Sequence, residues 1–345
     1  MLTLIALIVD LCMSANTRNF CTLFDSNYLS RGLVMAESLH RHCPDSHLYI
    51  VAFDEVVRTV LLRLALPEVT VVSLEEFEDQ ELLRVKPNRS AAEYCWTATP
   101  STILYCLQRF GIDECTYLDA DMMFYADPEI LFTEMGAASV LIPPHRYTPK
   151  YDQSTASGIY CVQFVTFRTT AQGNEALQWW RNACLEWCYA RSEPGRFGDQ
   201  KYLDDWPTRF SGVHVLENLG GGLAPWNVQQ YEFAGSLGAI RGKELASGKE
   251  FSPVFFHYHH FRFFDDGTVD FGPYALSASV KKTFYEPYVR ALLSAARLAV
   301  EVNPDGDYHG IRPAETGLVR FAKRLKHRLE GRYNRFPLSM FLQQV

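Results

Sequence analysis

From Asn19 onward the chain alternates short runs rich in β-branched and aromatic residues with longer stretches of helical periodicity, and this alternation restricts the fold more than any other feature. The runs NFCTLF (19–24), HLYIVAF (47–53), VTVVSL (69–74) and CTYL (115–118) read as strands. Between them, YLSRGLVMAESLHRH and AAEYCWTATPSTILYCLQRFG read as helices, the second with Pro100 near its start or at a kink and Gly111 closing it. Further strands are expected at SVLIPP (139–144), YCVQFVTF (160–167), VHVL (213–216) and VFFHYHHF (254–261), and an amphipathic helix at NEALQWWRNACLEWCYA. Strands that alternate with helices build βαβ units around one sheet. The expectation is an α/β protein: an extension over 1–18, one mixed α/β domain over 19–275, and a basic helical tail over 276–345.

With 345 residues, 48% of them hydrophobic and 14% aromatic, the chain can bury a large core. A formal net charge of −7 excludes a surface built throughout for nucleic acid, which needs basic stripes against phosphate, so no nucleic-acid partner is expected. The nine cysteines are odd in number, lie mostly in apolar runs and include no C-x-x-C pair, the pattern of reduced core thiols in a cytoplasmic protein. Cys184 and Cys188 are spaced to share a helix face and read as packing. The opening MLTLIALIVDLCMSANTRNF is apolar, but it carries Asp10, lacks a basic start and is too short to span a bilayer, so it is left out of the expected fold.

In TYLDADMMFYADP (116–128), Asp119 and Asp121 stand where the fourth strand should end. Ligands of open α/β sheets gather beyond the carboxyl ends of strands. Two carboxylates at i and i+2 can converge on a hard divalent cation that also takes substrate phosphates. The same pair can instead cap a turn, with Asp127 and Pro128 opening the next helix. A phosphohydrolase of the haloacid dehalogenase type also places D-x-D after an apolar strand. It does so on the first strand, with Thr or Val two residues after the second Asp, where this chain has Met123.

The ordered set FDSNYLSRGLVMAESL, TYLDADMMF, GDQKYL and HYHH resembles the nucleotide-sugar glycosyltransferases of the GT-A fold, and among them the retaining enzymes of glycosyltransferase family 8, the glycogenin and bacterial lipooligosaccharide galactosyltransferase type. The resemblance implies a Rossmann-like mixed central sheet flanked by helices. It also implies a metal-dependent hexosyltransferase that moves sugar from a UDP-sugar to an acceptor hydroxyl, with retention, in bacterial surface glycan synthesis. Carried over residue by residue, Asp25, Asn27 and Tyr28 would receive the nucleotide, Tyr28 stacking on the base; the same DSN is also an ordinary turn and N-cap. Asp119 and Asp121 would hold Mn2+ or Mg2+ with a late histidine, which the family's His-x-x-Gly spacing sets at His257, with His259 as a rival and His260 at the glycine position. Asp199 would steady charge at the anomeric carbon with Gln200 beneath it, although Asp199 can also cap a helix over 200–206. In NLGGGLAPWN, Gly221 permits close backbone approach to donor and Trp226 a face for sugar, without the spacing of a phosphate-binding P-loop.

The chain departs from the family at three places. Thr99 to Thr102 stand where the family has an Arg, Cys161-Val162-Gln163 replace Asn-Ala/Ser-Gly, and no late Lys-Pro-Trp follows, Arg262 being the nearest cation. The segment GLVRFAKRLKHRLEGRYNRF (317–336) sets seven cations against Glu330 alone and interleaves apolar residues. It reads as an amphipathic helix that either lies on an anionic membrane or packs on the domain. The expected partners are a UDP-sugar and a glycan or lipid-linked glycan acceptor, and the expected place is the cytoplasm, peripheral at the inner face of the membrane. A non-catalytic sugar-nucleotide-binding protein is the remaining class.

Overall fold

The computed structural model describes residues 17–304, 306–314, 326 and 328–342. Most of the expected extension, and half of the basic segment 317–336, lie outside the described residues. The first four strands fall where the periodicity places them: β1 Arg18–Phe24, β2 Ser46–Ala52, β3 Val69–Ser73 and β4 Glu114–Leu118. Helix α1, Leu29–His42, follows β1, and α2, Glu55–Leu64, follows β2 behind an Asp54 cap whose carboxylate accepts from Val57 N at 2.8 Å.

Helix α3, Ala91–Phe110, opens on a capping box between Ser90 and Glu93 and ends at Gly111 in the left-handed region, φ 64°. Pro100 lies inside this helix rather than near its start. Beyond β4 come β5 (Met122–Phe124), α4 (Glu129–Met135), β6 (Val140–Ile142), β7 (Phe164–Arg168), α5 (Ala171–Glu186) and β8 (Val213–Val215).

Seven of these strands form one mixed, mostly parallel sheet in the order β3-β2-β1-β4-β7-β6-β8, with β7 antiparallel to both β4 and β6. Its two faces carry separate apolar clusters, one beneath α1 and one beneath α3 and α5. A sheet covered on both sides is what near-continuous apolar strands require. Strand β7 starts at Phe164, not Tyr160; Tyr160 makes only an isolated bridge to Pro144, and residues 161–163 run as a loop past the end of β4.

Strands β9 (Tyr231–Ala234), β10 (Arg241–Glu244) and β11 (Glu250–Phe251) make a small antiparallel sheet. Strand β12, Phe255–His257, pairs antiparallel with β5 and sets His257 opposite Met122. After β13 (Arg262–Phe264) and β14 (Thr268–Asp270), helix α6, Glu286–Val302, lays Tyr288, Val289 and Leu292 into the cluster beneath α1, so the chain beyond residue 275 contributes to the same core. The basic segment does not end as a helix: Arg335–Pro337 is a strand, β15, paired with β14, and Phe336 packs on Phe271. Among the described residues no helix is long and apolar enough to cross a membrane.

Candidate active site

Beyond Leu118 the chain turns from β4 into β5, and the turn carries Asp119 and Asp121. Both main-chain positions are fixed from outside the turn. Asp119 N donates to Gln163 O at 3.1 Å, and Asp121 O accepts from Tyr258 N at 2.8 Å, beside the β5–β12 ladder. That ladder delivers His257, whose own N donates to Leu223 O at 2.9 Å. The result is a triad from distant parts of the chain: His257 Nε2 lies 3.1 Å from Asp121 Oδ1 and 3.7 Å from Asp119 Oδ2.

The three side chains each offer a ligand atom, all within 4.8 Å of one another. Two carboxylate oxygens and one imidazole nitrogen suit a hard or borderline divalent cation such as Mn2+ or Mg2+, so the donor set fits the group the sequence resemblance implies. His259 is not part of this cluster; its ring packs edge-on to Trp226 and His257. His260 holds φ +67°, a backbone conformation that glycine adopts without strain, which accounts for a glycine at this place in the family pattern.

The electrostatics follow from burial with close opposite charge. Burial alone drives the His257 ring toward neutrality, but the charge of Asp121 and its hydrogen bond outweigh it and hold the imidazolium well above its usual range. Burial likewise raises Asp121, yet His257, His259 and Arg31 pull it down to about 2. Asp119 goes the other way, to about 6, because its burial exceeds what His257 returns and Asp121 adds like charge.

Asp199 is 6% exposed and its carboxyl is raised to about 7, by burial first and then by the charge of Asp119. It does not cap the following helix: the turn over Lys201–Asp205 has Gln200 as its N-cap residue, and the α-helical turn Trp206–Arg209 comes after it. Its carbonyl accepts from Trp180 Nε1 at 2.9 Å, which ties the GDQ loop to α5. Gln200 is half-buried beside it.

At the other rim Asp25 caps the turn over Ser26–Tyr28, with Asn27 N and Asn27 Nδ2 donating to its two oxygens at 3.1 and 2.9 Å. Tyr28 is 41% exposed, and its hydroxyl is pushed up by burial first and then by the charge of Asp121, with Arg31 and Arg312 opposing. The turn is therefore a cap and also a neighbour of the carboxylates.

Gly221 and Trp226 present no open face. A Cβ on Gly221 would meet Leu216 at 2.5 Å, and the Trp226 indole is 5% exposed, donates to His145 O at 2.9 Å and sets its ring edge-on to His257 and His259. The glycine-rich loop braces the metal-side histidine.

Three residues were not reached from sequence. Arg31, one helical turn after Tyr28, stands 4.7 Å from the centre of that ring. Gln163 Oε1 lies 2.7 Å from His257 Nδ1. Arg312, held by backbone hydrogen bonds to Phe263 and Asp265, bears on both Tyr28 and His260. The i+3 spacing marks Arg31 on the helix face of Tyr28; for the other two no local signal exists.

A second cluster, Cys21, Cys106 and Cys115, brings three thiols within 4.8 Å at the interface of α3 with β1 and β4. All three are fully buried in an apolar cluster, where a trithiolate would carry uncompensated charge, so packing accounts for them. Cys184 and Cys188 are likewise fully buried, and all eight described cysteines are free thiols.

The central sheet and its flanking helices define a GT-A fold. The chain belongs to the family of the uncharacterized proteins YfnD and YfnF of Bacillus subtilis (strain 168). It is 31% identical to YfnD over 290 residues, 79% of this chain and 88% of YfnD, and 30% identical to YfnF over 254 residues, 71% and 82%. No protein-family profile matches it. Among solved structures it resembles the galactosyltransferase LgtC in complex with donor and acceptor sugar analogues, with a TM-score of 0.50 and 14% identity over 80% of this chain and 95% of LgtC. That likeness carries the fold.

Proposed function

We propose that the chain is a metal-dependent glycosyltransferase that moves a hexosyl group from a UDP-sugar to an acceptor hydroxyl, with retention. The observation that carries this reading is the convergence of Asp119, Asp121 and His257 at the end of β4, with the buried carboxyl of Asp199 under the influence of Asp119's charge. Asp119, Asp121 and His257 hold the cation, Mn2+ or Mg2+, which when bound supplies positive charge against the donor diphosphate. Tyr28 offers its ring to the uracil, while Asp25 and Asn27 meet the base and ribose. Asp199, once ionised, faces the charge that develops at the anomeric carbon, and the Gln200 amide orients the sugar beneath it. The acceptor is a glycan or lipid-linked glycan of a bacterial surface. The enzyme works in the cytoplasm, with its basic C-terminal segment against the anionic inner face of the membrane.

The test is a calorimetric titration of UDP with and without Mn2+, on the wild type and on Asp121→Ala, followed by a screen of UDP-sugars for hydrolysis and transfer. Metal-dependent UDP binding that the variant loses is the expected result. Absence of UDP binding in both conditions overturns the proposal. Metal-dependent UDP binding without turnover of any UDP-sugar supports a non-catalytic binding protein instead.

A further inference from the structure

The loop residue Gln163 joins the two halves of the candidate cation site. Its carbonyl accepts from Asp119 N at 3.1 Å, and its side-chain Oε1 lies 2.7 Å from His257 Nδ1. The residue is fully buried, so these bonds do not compete with solvent. An amide oxygen only accepts, so Nδ1 must carry a hydrogen. The nitrogen left over, Nε2, is the one 3.1 Å from Asp121 and 3.7 Å from Asp119. An imidazole binds a cation through a lone pair on one nitrogen, and the hydrogen bond made by the other nitrogen decides which one.

We infer that Gln163 is a positioning residue that keeps a hydrogen on His257 Nδ1, so that Nε2 is the nitrogen that gives up its proton and offers its lone pair when a cation binds between it and Asp119 and Asp121. This deepens the proposed function and rests on its reading of the triad as a cation site. The orientation of the amide matters. Turned over, its N–H would donate to Nδ1, the ring hydrogen would be held at Nε2, and no lone pair would be left there for a cation. The amide nitrogen is buried and has no partner among the described residues, and a Cβ at Gly222 would stand 3.4 Å from it. Gln163 therefore makes only one side-chain hydrogen bond, and that bond goes to the histidine.

The test titrates Mn2+ into the full chain by electron paramagnetic resonance, reading free Mn2+, for the wild type, Gln163→Met and Gln163→Glu. Thermal melting without metal serves as the fold control. Methionine keeps the length and removes the acceptor, and glutamate keeps the acceptor. Loss of an outer partner of this kind costs about 10- to 100-fold in metal affinity, and that loss is expected for Gln163→Met, with Gln163→Glu within a few-fold of the wild type. If the residue only fills space, Gln163→Met binds Mn2+ like the wild type while the buried extra charge of Gln163→Glu weakens the fold; that result overturns the inference and leaves the cation site standing. Should Gln163→Met fail to melt cooperatively, Gln163→Glu decides, and a folded Gln163→Glu with lost Mn2+ affinity overturns the inference. A wild type that binds no Mn2+ overturns this inference together with the proposed function.

Discussion

Arg31 stands with its guanidinium 4.7 Å from the ring centre of Tyr28 while it donates to Asn27 O at 3.0 Å, His309 O at 2.9 Å and Phe261 O at 3.3 Å. One buried cation thus ties together the turn over Ser26–Tyr28, the chain just past His257 and the segment at 309. Its charge also helps keep Asp121 ionised.

Replacing Arg31 by Met should therefore cost both stability and ligand binding. Three carbonyls lose a charged donor, and hydrogen bonds to charged groups contribute about 1.5–3 kcal/mol each before relaxation. A net loss of about 3 kcal/mol in denaturant unfolding is expected, and Arg31→Lys, with one compact head in place of a fork, should recover less than half of it. A variant that unfolds like the wild type would show that the clasp is not holding these segments.

Asp199 makes stability depend on pH in a direction that can be worked out. Its folded carboxyl is raised from 3.8 to about 7. A raised group stabilises the fold fully below its unfolded value, and that contribution is lost as pH rises through the folded value. Between about pH 4 and pH 7 the metal-free protein should lose stability from this group, with an upper bound of about 4 kcal/mol. Asp199→Asn removes the titration, so its unfolding free energy should be flatter than that of the wild type over this window and higher at pH 7. Parallel curves for the two proteins would contradict the burial of this carboxyl as the cause.

The alternation of strands and helices was legible because each element sets its own period, and β1 to β4 lie within a residue or two of the runs that announced them. The place of Asp119 and Asp121 was legible for the same reason: a carboxylate after Leu118 ends an apolar strand. His257 was legible only through an ordered resemblance, since His259 and His260 have the same chemistry and only the β5–β12 register separates them. Gln163 was not legible, because its function depends on a loop crossing the end of β4, and YCVQFVTF reads as one unbroken strand. Trp226 misled in the opposite sense. An aromatic beside three glycines suggests an open sugar platform, yet two of those glycines fit tightly against the protein's own chain, Gly220 at Ser252 and Gly221 at Leu216. The end of the basic segment read as helix from charge and periodicity, but pairing with β14 overrides local preference at Arg335–Pro337, and Arg335 bonds to Asp266 at 2.9 Å.

His260 should be improved by the residue it replaces. At φ +67° a side chain with a Cβ costs about 1–2 kcal/mol, and glycine is free of that strain. The losses to set against it are an exposed hydrogen bond from Arg262 Nη2 to His260 Nδ1 at 3.1 Å and the ring contacts with His259 and Tyr274. His260→Gly should leave the melting temperature unchanged or raise it by about 2–4 °C, and His260→Val should lower it. If the glycine variant melts well below the wild type, the imidazole has a structural role that the backbone argument misses.

Trp226 separates a brace from a sugar platform. Its N–H is committed to His145 O, and its ring edge supports His257 and His259. Trp226→Phe keeps much of the ring and removes the donor, leaving a buried carbonyl that still accepts from Asn227 Nδ2 at 2.9 Å. The expected cost is about 1–3 kcal/mol in stability, with metal-dependent affinities for UDP and for a UDP-sugar reduced by the same factor, because the change acts through His257. If Trp226 stacked on the sugar, only the UDP-sugar would lose affinity and UDP would bind as before. The ratio of the two dissociation constants, measured by calorimetry with Mn2+ present, distinguishes these cases; a ratio equal to that of the wild type is the outcome the buried indole requires.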